Sequence, residues 1–528
     1  MASSISISIL SLLSLILLVS SSSLSSASTN DQTFLQCLSS RLLPSTNLSQ
    51  IVYSRNSSSY TAVLEFSVQN PYLLSSSPVK PLYIITPRTE SQIQAAVICS
   101  KQHGLQIRVR SGGHDYEGLS YVASEPFIIL DLINYRAIDV NVEDRTAWVQ
   151  AGATIGELYY NIGQKSENLG FAAGVCPSVG VGGHFGGGGI GLSMRKHGLA
   201  IDNIIDASIM DVNGSVLDRK SMGEDLFWAI RGGGPASYGV VLSWKLKLVT
   251  VPPVTVFTVT KTVEGGATRL LTIWQMVATQ LPDELAIRVI LQATRRGTKS
   301  TVQASFNSLY YGNVQDLLSV MNRSFPELGL KAEDCQQMSW LESTMYFAGF
   351  PSGTPTEVLL NRSQSATNSF KNKSDFLKKP ISQEGLKGIW GKLLEEERGQ
   401  MILEPLGGKI NDVTETETPY PHRKGNLYNI QYVVTWLEGA DAQTYIDWMR
   451  SLYSFMTPYV THSPRGAFLN YRDLDLGRNE GRNTSYASAT SWGLKYFKRN
   501  FRRLALVKGR VDKDNYFRSE QSIPPLLA

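Results

Sequence analysis

Two glycine-rich segments constrain this chain more than anything else in it: RSGGHDYEG, which contains His114, and GVCPSVGVGGHFGGGG, which contains Cys176. Glycine has no Cβ, so such runs let backbone come close to a ligand, and they are poor material for helix or strand interiors. Each segment carries a nucleophile, and the pair points to a tethered cofactor. Gly186, Gly188 and Gly191 also satisfy G-x-G-x-x-G, with Asp211 at the spacing of a ribose contact, which by itself suggests a nicotinamide-binding Rossmann fold. The context argues against that reading. The glycines follow Cys176-Pro177 instead of an apolar strand, and Asp211 lies in IDASIMDVNGSVLD, whose alternation about Asn213-Gly214 reads as a hairpin. A loop offering backbone N–H donors to an oxygen-rich ligand fits better.

At 528 residues the chain exceeds one compact core, and two or three units are expected. A charged fraction of 18% and a net charge of +5 are those of an ordinary globular protein, without the basic stripe that nucleic acid requires. The densest basic run, Lys495, Lys498, Arg499, Arg502 and Arg503, has the spacing of a solvated helix face. The apolar stretch Ile5 to Val19, followed by small residues near Ala27, predicts a removable secretory signal over residues 1–27, with no stable membrane anchor. Export agrees with sequons at Asn47, Asn56, Asn213, Asn322, Asn361, Asn372 and Asn483, each able to carry glycan if exposed. Four cysteines, Cys37, Cys99, Cys176 and Cys335, allow three pairings; Cys37 and Cys99 lie in apolar helical patterns that could pack together, and Cys335 reads as a buried thiol. No ligand-spaced His or Cys cluster predicts a metal site.

The segment VKPLYIITPRTESQIQAAVICSKQHGLQIRVRSGGH reads strand, helix, strand, with Ile93, Ala96 and Val97 at helical spacing. FIILDL and TAWVQAG follow as strands, GELYYNIGQKS as a helix, and then the second glycine loop. The texture changes after Pro252-Pro253 to longer alternating strands, AIRVILQAT, STVQASFNSLYYG and NLYNIQYVVTW, with helices rich in Leu and Trp between strands, as in an antiparallel sheet backed by helices.

The two glycine segments, with GLAIDNIIDA, NLYNIQYVVTW, FLNYRDLDLG and EQSIPP, closely resemble the plant berberine bridge enzyme-like family over nearly the whole mature chain. The resemblance implies an α+β fold: a two-part FAD-binding domain of the vanillyl-alcohol oxidase type and a substrate domain on an antiparallel sheet. The expected division is an N-terminal segment 28–77, an FAD-binding domain 78–253, a substrate domain 254–465 and a C-terminal segment 466–528 returning to the flavin domain. It implies bicovalent FAD, His114 bonded to the 8α-methyl and Cys176 to C6, with Arg110, Ser111, Gly112, Gly113, Gly182, Gly183 and Val179 at the cofactor. It also pairs Cys37 with Cys99. His184 is expected to be a structural hydrogen-bond donor. The turn Arg231-Gly-Gly-Gly with Pro235 departs from the family's usual G-G-A-S-F-G.

By the same resemblance, Val179 stands where the family gates oxygen, and valine there is typical of members that reoxidise with dioxygen to give hydrogen peroxide. Tyr471 matches the proposed proton acceptor, accompanied by Gln431 and Tyr116. A free phenol has a pKa of about 10 and needs a cation or hydrogen-bonded partner to act near neutrality. Here Asn429 and Ile190 replace the Lys and loop Tyr of several members, and Phe468 replaces a common Tyr. Arg288, in an otherwise apolar strand, either orients a phenolate or carboxylate or is simply exposed. The expectation is a secreted, monomeric oxidase of a small plant metabolite (phenolic, alkaloid, alcohol or sugar), located in cell wall or vacuole. The competing expectation is a Diels-Alder cyclase that keeps FAD as scaffold.

Overall fold

The computed structural model describes residues 33–363 and 368–527, so the expected signal at 1–27 lies outside the described residues. The first sheet places Tyr83–Ile85, Phe127–Asp131 and Gln106–Arg110 in parallel, with Val52–Ser54 antiparallel at the edge. All five residues of Phe127–Asp131 are buried; the apolar run Phe127 to Leu130 suits a parallel sheet covered on both faces, and Asp131 closes the strand. The helix Glu90–Gln102 crosses over between strands; Thr89 caps it by accepting from Gln92 N–H, and Ile93, Ala96 and Val97 face the core. Its Cys99 is bonded to Cys37, the pairing the family resemblance implied.

A second, antiparallel sheet runs Ile138–Asn141, Thr146–Gln150, Val240–Lys247, Ile204–Met210, Val216–Leu217. The hairpin about Asn213-Gly214 closes it, and the Asp211 carboxylate accepts from Asn213 and Ser215 N–H inside the turn. That side chain is occupied by the turn and does not reach a ribose. The glycine segment expected as a loop forms in part a short helix, Val181–Gly187. Burial overrides propensity there: Val181 and Phe185 anchor it in the core while the glycines keep it thin.

The third sheet is antiparallel and has seven strands, in the order Cys335–Met338, Val254–Thr262, Lys299–Tyr310, Leu285–Arg296, Gly399–Pro405, Tyr428–Leu437, Asn368–Leu377. Period-two alternation sends Tyr428, Ile430, Tyr432, Val434 and Trp436 into a core with the helices Ala267–Val277, Gln383–Glu395 and Ala442–Phe455. The opposite face, carrying Gln431, looks toward the glycine segments. The molecule is thus α+β, with helices backing one face of this sheet.

The helices Tyr486–Phe497 and Asn500–Val511 pack into the core of the first two sheets through Trp492, Tyr496, Phe501 and Leu504. The basic run is not one helix face: Lys498, at φ 46°, breaks it, Lys498 pairs with Glu415 and Arg503 with Asp225. Two further expectations change. Cys335 is half-buried on an edge strand, not a core thiol. Asn372 is buried in the strand Asn368–Leu377, paired across to Val433, so a glycan has no room there; the other six sequon asparagines are exposed.

Glycopeptide mapping is expected to find Asn372 unmodified whichever of the exposed sites carry glycan. Replacing Cys37 and Cys99 by Ala opens a link across a sequence separation of 62 and is expected to cost about 2–4 kcal/mol, measured by denaturant unfolding.

Candidate active site

The second glycine segment lies beside the first because no side chain separates them. A Cβ on Gly112 would meet Gly180 N at 2.3 Å, and one on Gly180 would meet Ser111 Oγ at 2.1 Å. One on Gly191 would meet Ala173 O at 1.8 Å. A Cβ on Gly183, by contrast, would meet nothing within 4 Å, and this glycine faces a cavity of ≈ 480 Å³. Ser111, Gly112, Gly113, Val179, Gly182, Gly183 and Ile190 all line that cavity. Pro235, where the turn departs from the usual family sequence, fits against Gly186, whose Cβ would come within 2.4 Å of Pro235 Cδ.

His114 and Cys176 both open into this cavity and share one partner. His114 Nε2 lies 2.9 Å from Ser178 Oγ, and Cys176 Sγ lies 3.6 Å from the same hydroxyl. Burial lowers the His114 pKa to about 4, so the imidazole is neutral at neutral pH and nucleophilic at whichever nitrogen is free. His184 behaves differently from the donor expected of it: its Nε2 accepts the Gly174 N–H at 3.0 Å, and burial lowers its pKa to about 4 as well.

Tyr116 and Tyr471 form an aromatic wall of the same cavity, stacked with centroids 5.6 Å apart at 10°. Gln431 Nε2 donates to the Tyr116 hydroxyl at 2.7 Å. The stack is held on both sides by ion pairs of its chain neighbours. Asp115 pairs with Arg472 at 2.8 Å, and Glu117 pairs with Lys371, which also holds Asp473 at 3.0 Å. Lys373 completes the group, 2.7 Å from Asp473. Burial opposes the charge on Lys371, yet Glu117, Asp473 and Asp475 outweigh it and raise its pKa. Burial dominates at Glu117 and raises its pKa despite Lys371.

Among the described residues Tyr471 finds no cation in hydrogen-bond contact. Burial, then the charges of Glu404 and Tyr116, push its phenol well above the ordinary value, and Arg288 offsets only part of this. Tyr471 is therefore protonated near neutrality in the cavity as it stands, without a cation in contact to assist the base role expected of it. Arg288 is buried and lines the cavity, so it is not an exposed strand residue.

Three residues expected at the ligand are elsewhere. Arg110 is fully buried and donates to Asp131 (2.7 Å), Leu64 O (2.6 Å) and Val63 O (2.7 Å), fastening the first sheet to the N-terminal segment. Asn429 is buried off the cavity, with Nδ2 donating to Asp375 O at 3.0 Å. Phe468 packs edge-on behind Tyr471, 5.0 Å between centroids, and does not reach the cavity. Conversely, Ser178, Ile402, Glu404 and Asn470 belong to the site and were not singled out. Glu404 had a readable signal, a lone acid in the apolar strand MILEPL, the same pattern that flagged Arg288.

The glycine cradle, two convergent nucleophiles and an apolar cavity with aromatic walls suit a planar cofactor with a small organic substrate beside it. Residues 81–219 match the FAD binding domain family and residues 467–524 the berberine and berberine-like family. Cradle and match together define an FAD-linked oxidoreductase. Berberine bridge enzyme-like 22 of Arabidopsis thaliana is 50% identical, over 96% of this chain and 97% of that protein. A tetrahydroberberine oxidase of Berberis wilsoniae is 48% identical over 95% and 96%. The chain belongs to the berberine bridge enzyme-like family. Among solved structures, BBE-like 28 of Arabidopsis thaliana superposes with a TM-score of 0.87 at 48% identity, covering 93% of this chain and 99% of that one. Wild-type Phl p 4.0202, described as a glucose dehydrogenase, gives 0.90 at 45%, covering 94% and 100%. An isoleucine-to-valine variant of Phl p 4 is described as a glucose oxidase.

Asp473→Ala removes the carboxylate that bridges two buried ammonium groups but leaves Lys371 with Glu117 and Lys373 with Asp475, so a loss below the about 3–5 kcal/mol of a fully unpaired buried charge is expected in denaturant unfolding. Gly112→Ala is expected to yield protein with little bound flavin, read as flavin absorbance per mole of purified chain.

Proposed function

We propose that the protein carries FAD on two covalent bonds, His114 to the 8α-methyl and Cys176 to C6, and oxidises a small plant metabolite with dioxygen as final acceptor. The observation that carries this reading is the convergence of both nucleophiles on Ser178 inside one glycine-lined cavity. With Nε2 engaged by Ser178, the His114 nitrogen left to attack is Nδ1. Each bond replaces one flavin hydrogen with the loss of two electrons and two protons, which dioxygen takes up as hydrogen peroxide.

Bound FAD supplies a two-electron acceptor for the substrate. The chain supplies position and proton handling: the Tyr116–Tyr471 stack offers an aromatic wall, Gln431 fixes the Tyr116 hydroxyl, and Arg288 presents a cation to an oxygen of the substrate. Val179 lines the cavity, and the valine variant described as a glucose oxidase supports reoxidation by dioxygen here. Secretion, as a monomer bound for cell wall or vacuole, agrees with a disulfide and with six exposed sequons.

Acid-precipitated wild type is expected to stay yellow, His114→Ala and Cys176→Ala each to keep one tether, and the double variant to release its flavin; a colourless wild-type precipitate overturns the attachment. Attachment by His114 needs the neutral ring, so the rate of acid-stable flavin incorporation into apoprotein is expected to be flat near neutrality and to fall as pH drops through about 4. A metabolite screen by mass spectrometry is expected to show loss of two hydrogens with peroxide release in air. An adduct formed without flavin reduction would identify a cyclase instead.

A further inference from the structure

Glu404 is the cavity group that the tethering and stacking residues leave unexplained. It is 9% exposed, makes no ion pair among the described residues, and its Oε2 has no hydrogen-bond partner there. A buried carboxylate oxygen left in that state needs something in the cavity to bond to. The sheet register puts it next to the aromatic wall. Ile402 lies opposite Gln431, which holds Tyr116, and Glu404 lies opposite Asn429. Arg288 comes in from the neighbouring strand, one residue before Val289, which pairs with Leu403. Arg288 also has no carboxylate in contact and an unpaired Nε, its guanidinium lying 5.6 Å from the Phe347 ring centre. Carboxylate and guanidinium thus face one space without closing on each other.

On the reading above as a flavin-dependent oxidase, we propose that Glu404, with Arg288 beside it, takes the substrate's proton, and that the substrate is an alcohol, sugar hydroxyls included, whose O–H lies between the two. In the step, a primary or secondary alcohol loses its O–H proton to the Glu404 carboxylate, which becomes the acid. The hydrogen on the carbinol carbon leaves with the C–H electron pair to oxidised FAD, and the C–O bond closes to a carbonyl, so the product is an aldehyde or ketone. The electrons end on dioxygen as hydrogen peroxide. The groups facing Glu404 are Arg288, Tyr116, Tyr420 and Tyr471. Burial keeps the three phenols protonated, so they donate, and Arg288 favours the ionised carboxylate. Arg288 also cancels the pull Glu404 would have on a cationic amine, whereas a neutral hydroxyl can donate to one and accept from the other. Asn429 stands where several members carry a Lys beside the tyrosine, and the register places Glu404 across from that position. Proton acceptance moves from a cation-assisted phenol to a cation-assisted carboxylate.

Titration of the substrate-free holoenzyme, followed by flavin absorption, tests this without turnover. Burial raises the Glu404 pKa, so wild type is expected to show an ionisation above the usual carboxylate range that Glu404→Gln abolishes and Tyr471→Phe retains. With D-glucose and benzyl alcohol as probes, anaerobic flavin bleaching in wild type is expected to rise with pH through that ionisation. It should fall by about 10²-fold or more in Glu404→Gln and recover in part in Glu404→Asp. An ionisation that persists in Glu404→Gln, bleaching there at the wild-type rate, or failure of both alcohols to bleach wild type overturns the proposal. Bleaching by tetrahydroberberine while both alcohols are inert also overturns it yet leaves the oxidase reading standing; a colourless protein removes that reading itself.

Discussion

Lys371 and Lys373, projecting from the strand Asn368–Leu377, neutralise Glu117 and Asp473 in the interior, and much of the site depends on that pairing. Glu117 follows Tyr116, and Asp473 lies two residues after Tyr471. Three distant parts of the chain, the first glycine segment, the seven-stranded sheet and the C-terminal segment, are therefore locked together at the two aromatic rings that wall the cavity. The energetic logic is one-sided. A buried ion pair adds little over an apolar substitute, but removing one partner leaves a charge that the interior cannot solvate. Such a cluster specifies registration more than stability, and registration is what a stacked pair of phenols facing a cofactor requires.

Burial then sets the chemistry inside the cavity. It makes His114 a neutral imidazole, which suits a tether, and it holds the phenols of Tyr116 and Tyr471 protonated near neutrality. The same burial raises Glu404, but a carboxyl starts below neutrality and is moved toward it, whereas a phenol starts above neutrality and is moved away, and the cavity cation Arg288 limits the rise. Desolvation acts on every group alike; the starting pKa decides which of them can still exchange a proton.

The glycine segments were legible because glycine at a close backbone approach leaves few alternatives: the contacts of Gly112, Gly180 and Gly191 each exclude a side chain. The hairpin at Asn213-Gly214, the crossover helix Glu90–Gln102 and the alternating strands of the large sheet were legible for similarly local reasons. Roles that depend on direction were not. Arg110 stands one residue before the glycine cradle, yet its guanidinium turns toward Asp131. Asn429 shares a sheet face with Gln431 but lies past the edge of the cavity, and Phe468 stands behind Tyr471. Adjacency in the chain says nothing about which side of the backbone a side chain leaves by.

Local steric and periodic constraints, carried by a few residues at a time, let the sequence alone determine the close-packed glycine cradle and the alternating strands of the large sheet, while the family resemblance implied the α+β architecture of the whole and the roles of His114 and Cys176. Tertiary structure alone decided that His114 and Cys176 meet at Ser178, that Asn372 is enclosed, and that Glu404 and Arg288 face each other across neighbouring strands. Each of those outcomes is a pairing between segments distant in sequence, set by strand register and by charge that must be matched once water is excluded, and no local pattern encodes it.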